Sequence, residues 1–69
     1  MSDDRVVALE IALKSVMAIA RNKGLDADDL CRTAIGAILA DPKMKWVKAD
    51  YVPRAIEEIE AAKAAIARH

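Results

Sequence analysis

Cys31 and His69 are the only cysteine and the only histidine in this 69-residue chain. A zinc site takes about four ligands drawn mainly from Cys and His, so none can be assembled within one copy. A Cys-His nucleophilic pair would need the last residue of the chain held against Cys31, whereas a lone cysteine commonly behaves as a small buried hydrophobe. Ser2 and Ser15 have no histidine base near them in sequence. Asp26, Asp28 and Asp29 invite comparison with a calcium loop. Such a loop needs glycine at its sixth position and glutamate at its twelfth, where this chain has Cys31 and Ala37. The expectation is a non-enzymatic protein with no metal and no cofactor.

One segment carries chemistry of another kind. From Lys43 to Arg54 the chain holds Lys43, Lys45, Lys48 and Arg54 against a single acid, Asp50, with Met44, Trp46 and Tyr51 interleaved. Trp, Tyr, Met and Arg are the side chains enriched in protein interface hot spots. Basic groups alternating with rings can also follow a single-stranded nucleic acid, the bases stacking on the rings. A third use is structural, with Trp46 and Met44 closing the open end of a helical bundle that lacks any Phe. Protein binding is placed ahead of nucleic acid. Eleven basic residues balance eleven acidic ones, and a nucleic-acid coat normally carries net positive charge. The expected partner-binding set is Lys43, Met44, Lys45, Trp46, Lys48, Tyr51 and Arg54, together with Leu39.

Helices must position that segment. Val6, Leu9, Leu13, Val16 and Ala20 follow a 3-4-3-4 spacing with Met17 beside them, a stripe along a first helix from about residue 3 to 23. Ala8, Ala12 and Ile19 form a neighbouring strip, and Val7, Ile11 and Ala18 lie toward the opposite side. So apolar a helix is expected at the centre of the fold, covered by the other helices or by a second copy of the chain. Ser2, Asp3 and Asp4 suit its N-terminus, and Gly24 suits a left-handed stop with Leu25 folding back. Asp26 then caps a second helix over about 27–40, with Asp29 three residues on and Leu25 and Leu30 placed as a hydrophobic staple. Its apolar face combines Leu30, Ala34, Ala37 and Ile38, flanked by Cys31 and Ile35, while Leu39 lies off that face. Gly36 is unfavourable inside a helix unless another backbone packs closely there.

Asp41-Pro42 ends the second helix. The alternation of basic and apolar residues from Lys43 to Lys48 fits a short strand, a helical turn or an ordered loop. A third helix over about 51–67 carries Pro53 in its first turn and a narrower stripe of Val52, Ala55, Ile56, Ile59, Ala62 and Ile66, which is the pattern of a surface helix. Arg54 with Glu57 and Glu58, and Glu60 with Lys63, are spaced for ion pairs along it. The first two helices also have the outline of a helix-turn-helix, but the second would present Asp26, Asp28 and Asp29 to phosphate, which argues against DNA reading.

The expected fold is all-α, a single domain over residues 1–69 in the form of a helical hairpin with a third helix. Fifteen of its apolar residues are Ala and there is no Phe, so each buries little surface. With one cysteine no internal disulfide can add support, and a chain of this size commonly gains it by self-association. A homodimeric bundle is therefore expected, its seam drawn from Val6, Leu9, Leu13, Val16, Val7 and Ile11. The acidic start, the single cysteine and the lack of any long apolar run point to the cytoplasm, with no membrane partner.

In its size, its Ala-rich helical pattern and its lack of a catalytic set, the chain resembles the small phage-encoded proteins that bind and inhibit host factors. The quorum-sensing anti-activators, which act on a transcription regulator and a pilus-assembly ATPase, are one such group. The resemblance covers the whole length through size and helical class and transfers no individual residue. It implies a dimeric inhibitor that masks the surface of a host regulator or enzyme. The expected function is thus a protein-binding module of this kind, the alternative being a small nucleic-acid-binding protein using residues 43–54.

Overall fold

The computed structural model describes residues 3–40 and 46–68. They form three helices, α1 (Asp3–Asn22), α2 (Ala27–Ala40) and α3 (Val52–Ala67), with one 3₁₀ turn over Ala49–Tyr51 leading into α3. Asp41, Pro42, Lys43, Met44 and Lys45 lie outside the described residues, as do Met1, Ser2 and His69, so the N-cap at Ser2 and most of the basic alternation fall there. Trp46 stands in a turn, and Lys48 is extended where it enters the 3₁₀ turn.

The turn between α1 and α2 follows from local chemistry. Gly24 takes φ +98°, a left-handed conformation open to glycine at little cost. The Leu25 amide donates to the Ala20 carbonyl at 3.1 Å, and the Gly24 amide donates to the Arg21 carbonyl at 3.0 Å. These two bonds are the paired reversals of a Schellman stop, and they satisfy carbonyls the helix end would otherwise leave bare. Asp26 begins α2: its Oδ1 accepts from the Asp28 amide at 2.8 Å and the Asp29 amide at 3.2 Å. The Asp29 carboxylate lies 4.0 Å from the Arg32 guanidinium along the same helix.

Tertiary packing departs from the expectation that α1 is the centre. α3 packs along both α1 and α2, while those two pack on each other far less. The helix whose pattern looked like an ordinary surface helix is therefore the one in the middle. Its narrow stripe explains why: Ala62 and Ile66 are buried, and Val52, Ala55, Ile56 and Ile59 are partly covered, so one defined face meets both neighbours. On α1, by contrast, only Met17 is buried. Leu9, Val16, Val7, Ile11 and Ile19 are each at least half exposed. An almost uniformly apolar helix gives packing no preferred side, and α3 selects the side holding Leu13 and Met17.

The core sits at one end of the molecule. Met17, Cys31, Ala62 and Ile66 form its buried centre, with Leu13, Ala18, Ala27 and Ile59 packed on them. These residues come from the second half of α1, the first half of α2 and α3 from its middle to its end. Two polar contacts close that end. The Arg21 Nη1 donates to the Ile66 carbonyl at 2.8 Å, joining the C-terminal turns of α1 and α3, and Lys63 Nζ reaches Asp28 at 3.4 Å from α3 to α2. Lys63 thus pairs between helices, where its sequence spacing had matched it to Glu60. The overall extents are 32 × 30 × 15 Å, the proportions of a slab.

Candidate protein-docking groove

At the end away from the core, the three helices leave an open apolar groove of about 740 Å³. One wall is Leu9 and Leu13 of α1, and the other is Ala34 and Ile38 of α2. Ala55 and Ile59 of α3 lie between them, and Trp46, Val47, Lys48 and Tyr51 supply the mouth. Glu58 is an acidic side chain at its edge. The groove exists because α1 and α2 part beyond the glycine turn while α3 bridges them. The small side chains Ala34 and Ala55 then leave space that larger ones would fill.

Trp46 is 74 % exposed, and Tyr51 is 57 % exposed. A tryptophan closing the end of the bundle would be largely covered, so within one chain Trp46 edges the groove without filling it. The Arg54 guanidinium carbon lies 6.0 Å from the centre of the Tyr51 ring. That distance is the outer limit of a cation–π contact, and between two exposed side chains it contributes little. The 3₁₀ turn fixes the position of Tyr51 through its amide, which donates to the Lys48 carbonyl at 3.0 Å.

Of the residues expected to bind a partner, Trp46, Lys48 and Tyr51 come together at this mouth, with Arg54 against Tyr51. Leu39 is 63 % exposed but does not line the groove. Lys43, Met44 and Lys45 lie outside the described residues. The walls were not anticipated as a site: Leu13, Ala34, Ile38 and Ile59 carry the spacing of core residues, and only the parting of α1 and α2 turns that core face into a cleft. Of the six seam residues, Val6 and Leu13 are partly covered, Leu9 lines the groove while half exposed, Val16 is exposed, and Val7 and Ile11 are exposed on the opposite flank of α1.

Cys31 is buried, 3 % exposed. Burial pushes its thiol above the ordinary value, Asp28 adds to that rise and Lys63 opposes it. A raised thiol is a poor nucleophile at neutral pH, since the thiolate is the reactive form. Among the described residues no group of three or more His, Cys, Asp or Glu side chains converges as metal ligands would, and no helix is long and apolar enough to cross a membrane. No known protein family, curated protein or solved structure matches this chain.

Proposed function

We propose that the chain is a non-enzymatic protein-binding module that acts by occupancy, holding an amphipathic helix of a regulator or enzyme in the groove and masking the surface that helix serves. The observation that carries this is a tryptophan 74 % exposed at the mouth of an apolar groove. Large aromatic side chains are not kept in water at a cleft edge for stability, and they are the commonest anchors of interfaces. The groove lies where a bundle would place a fourth helix, between two helices already in contact with a third. Lys48 at the mouth and Arg54 beside Tyr51 match a partner helix with an acidic flank.

The test is capture from nuclease-treated lysate, with wild type and Trp46→Ala compared side by side. A single protein held by wild type through high-salt washes, and lost with Trp46→Ala, supports the module. If nuclease removes everything bound and untreated lysate yields nucleic acid, the basic-aromatic segment binds phosphate instead. Affinity should then fall steeply with salt, with a log-log slope near about −3 for roughly four contacts.

A further inference from the structure

The groove is one helical turn deep. The Arg21–Ile66 contact joins the C-terminal turns of α1 and α3, and the Lys63–Asp28 contact joins the second half of α3 to the first turn of α2, so α1 and α3 run in one sense and α2 in the other. Each helix then supplies two wall residues four apart. Leu13, Ala34 and Ile59 make an inner ring, in which Leu13 and Ile59 rest on the buried core, and Leu9, Ile38 and Ala55 make an outer ring next to the mouth. Residues four apart on a helix are separated by about 6 Å along its axis. Each ring has one short side chain, Ala34 on α2 in the inner ring and Ala55 on α3 in the outer ring.

The two levels differ in charge. Glu58 stands at the level of the inner ring, next to Ile59, and the hollow it shares with α1 also holds Glu10 and Lys14, two acids against one base. At the mouth, Lys48 lines the groove and Arg54 lies beside Tyr51, two bases against Asp50 of the 3₁₀ turn.

We propose that the groove selects a partner helix with two large apolar anchors one turn apart and an acidic residue one turn further toward its C-terminus. The first anchor seats against Ala34 in the inner ring and the second against Ala55 in the outer ring, and the acid meets Lys48 at the mouth. The motif rests on the groove being the seat of a helix, and adds to it the direction and the residue types. A helix laid this way points its positive N-terminal end at Glu58 and its negative C-terminal end at Lys48, and it runs antiparallel to α1 and α3. The reverse direction sets each end against like charge. A third apolar anchor has no ring to enter: the core closes the groove beneath the inner ring, and beyond the outer ring stands the Lys48 mouth. The pairing of an acid with Lys48 sets direction and specificity, while the two apolar anchors carry the affinity.

Trp46 is the only tryptophan of the chain and stands at the mouth, so its emission reports occupancy. The probe is an Ala- and Gln-rich helical peptide of about sixteen residues with no aromatic side chain, carrying Leu at i and i+4 and Glu at i+8, titrated into the full chain. Emission should shift to the blue and saturate. Moving the Glu to i−4 should weaken binding about threefold. Lys48→Glu, at an exposed position, should weaken it similarly, and changing the peptide's Glu to Lys should restore it. Ala34→Leu, checked for folding by circular dichroism, fills the inner ring and should weaken binding about tenfold or more. Equal binding of the two Glu placements, or no rescue of Lys48→Glu, overturns the direction, and unchanged binding to Ala34→Leu overturns the inner seat. These outcomes leave the groove a docking site. No response to any of the peptides up to about millimolar concentration overturns the motif, and the docking function falls with it only if Trp46→Ala also leaves capture from lysate unchanged.

Discussion

Truncating Trp46 should remove binding and leave the fold largely intact, and the size of its small effect on stability can be worked out. A fully buried tryptophan hides about 200 Å², and Trp46 is 74 % exposed, so only about a quarter of its surface is covered. The loss in Trp46→Ala is then about 50 Å², worth about 1 kcal/mol at roughly 25 cal/mol per Å². Met17→Ala is the matched control. Met17 is 4 % exposed at the centre of the core, and deleting such a side chain costs about 2–5 kcal/mol. A core of this size supplies only about 3–5 kcal/mol of net stability, so Met17→Ala should leave the chain mostly unfolded. Circular dichroism melts at one fixed protein concentration separate the two. Trp46→Ala should lower Tm by about 4–8 °C with unchanged low-temperature helicity, while Met17→Ala abolishes the cooperative transition. A Trp46→Ala chain as unstable as Met17→Ala would refute the assignment, because Trp46 would then be a packing residue and the groove would have lost its anchor.

Other substitutions test single features. A Cβ built on Gly36 meets nothing within 4 Å, and the residue is exposed within α2. Gly36→Ala should therefore stabilise the chain by up to about 1 kcal/mol in urea melts, and destabilisation would reveal a backbone packed there that one copy does not show. Asp26→Ala removes the acceptor for the Asp28 and Asp29 amides and should cost about 1 kcal/mol, while Asp26→Ser, which restores a capping oxygen, should recover most of it. Cys31 gives a pH dependence. Its folded pKa is raised, mainly by burial, so the folded state holds the thiol proton more tightly than the unfolded state does. Its contribution is complete below the unfolded thiol pKa of about 8.5 and is lost as pH rises from there through the raised folded value. Urea midpoints should fall between neutral pH and the alkaline side of that value more steeply for wild type than for Cys31→Ala, and equal slopes would count against the shift.

The all-helical class and the chain's punctuation were legible from single residues, because those signals are local. Gly24 stops α1 and Asp26 starts α2 through bonds that span at most five residues. α3 keeps the stripe that its spacing describes, since only one of its faces is apolar enough to bury. The same reasoning failed for α1. Apolar on nearly all sides, it has a pattern that several packings satisfy equally, and the selection of Leu13 and Met17 over Leu9 and Val16 was made by the position of α3. The contact from Arg21 to the Ile66 carbonyl had no sequence signal at all, joining residues 45 positions apart. The candidate site divides in the same way. Trp46, Lys48, Tyr51 and Arg54 stand out by type, because aromatic and basic side chains close together in sequence are unusual in an Ala-rich helical chain. That they edge a groove, with its walls made of residues spaced for a core, was decided by the parting of α1 and α2 over α3. Local hydrogen bonding sets where helices begin and end, but how far apart they lie depends on the side chains of all three at once.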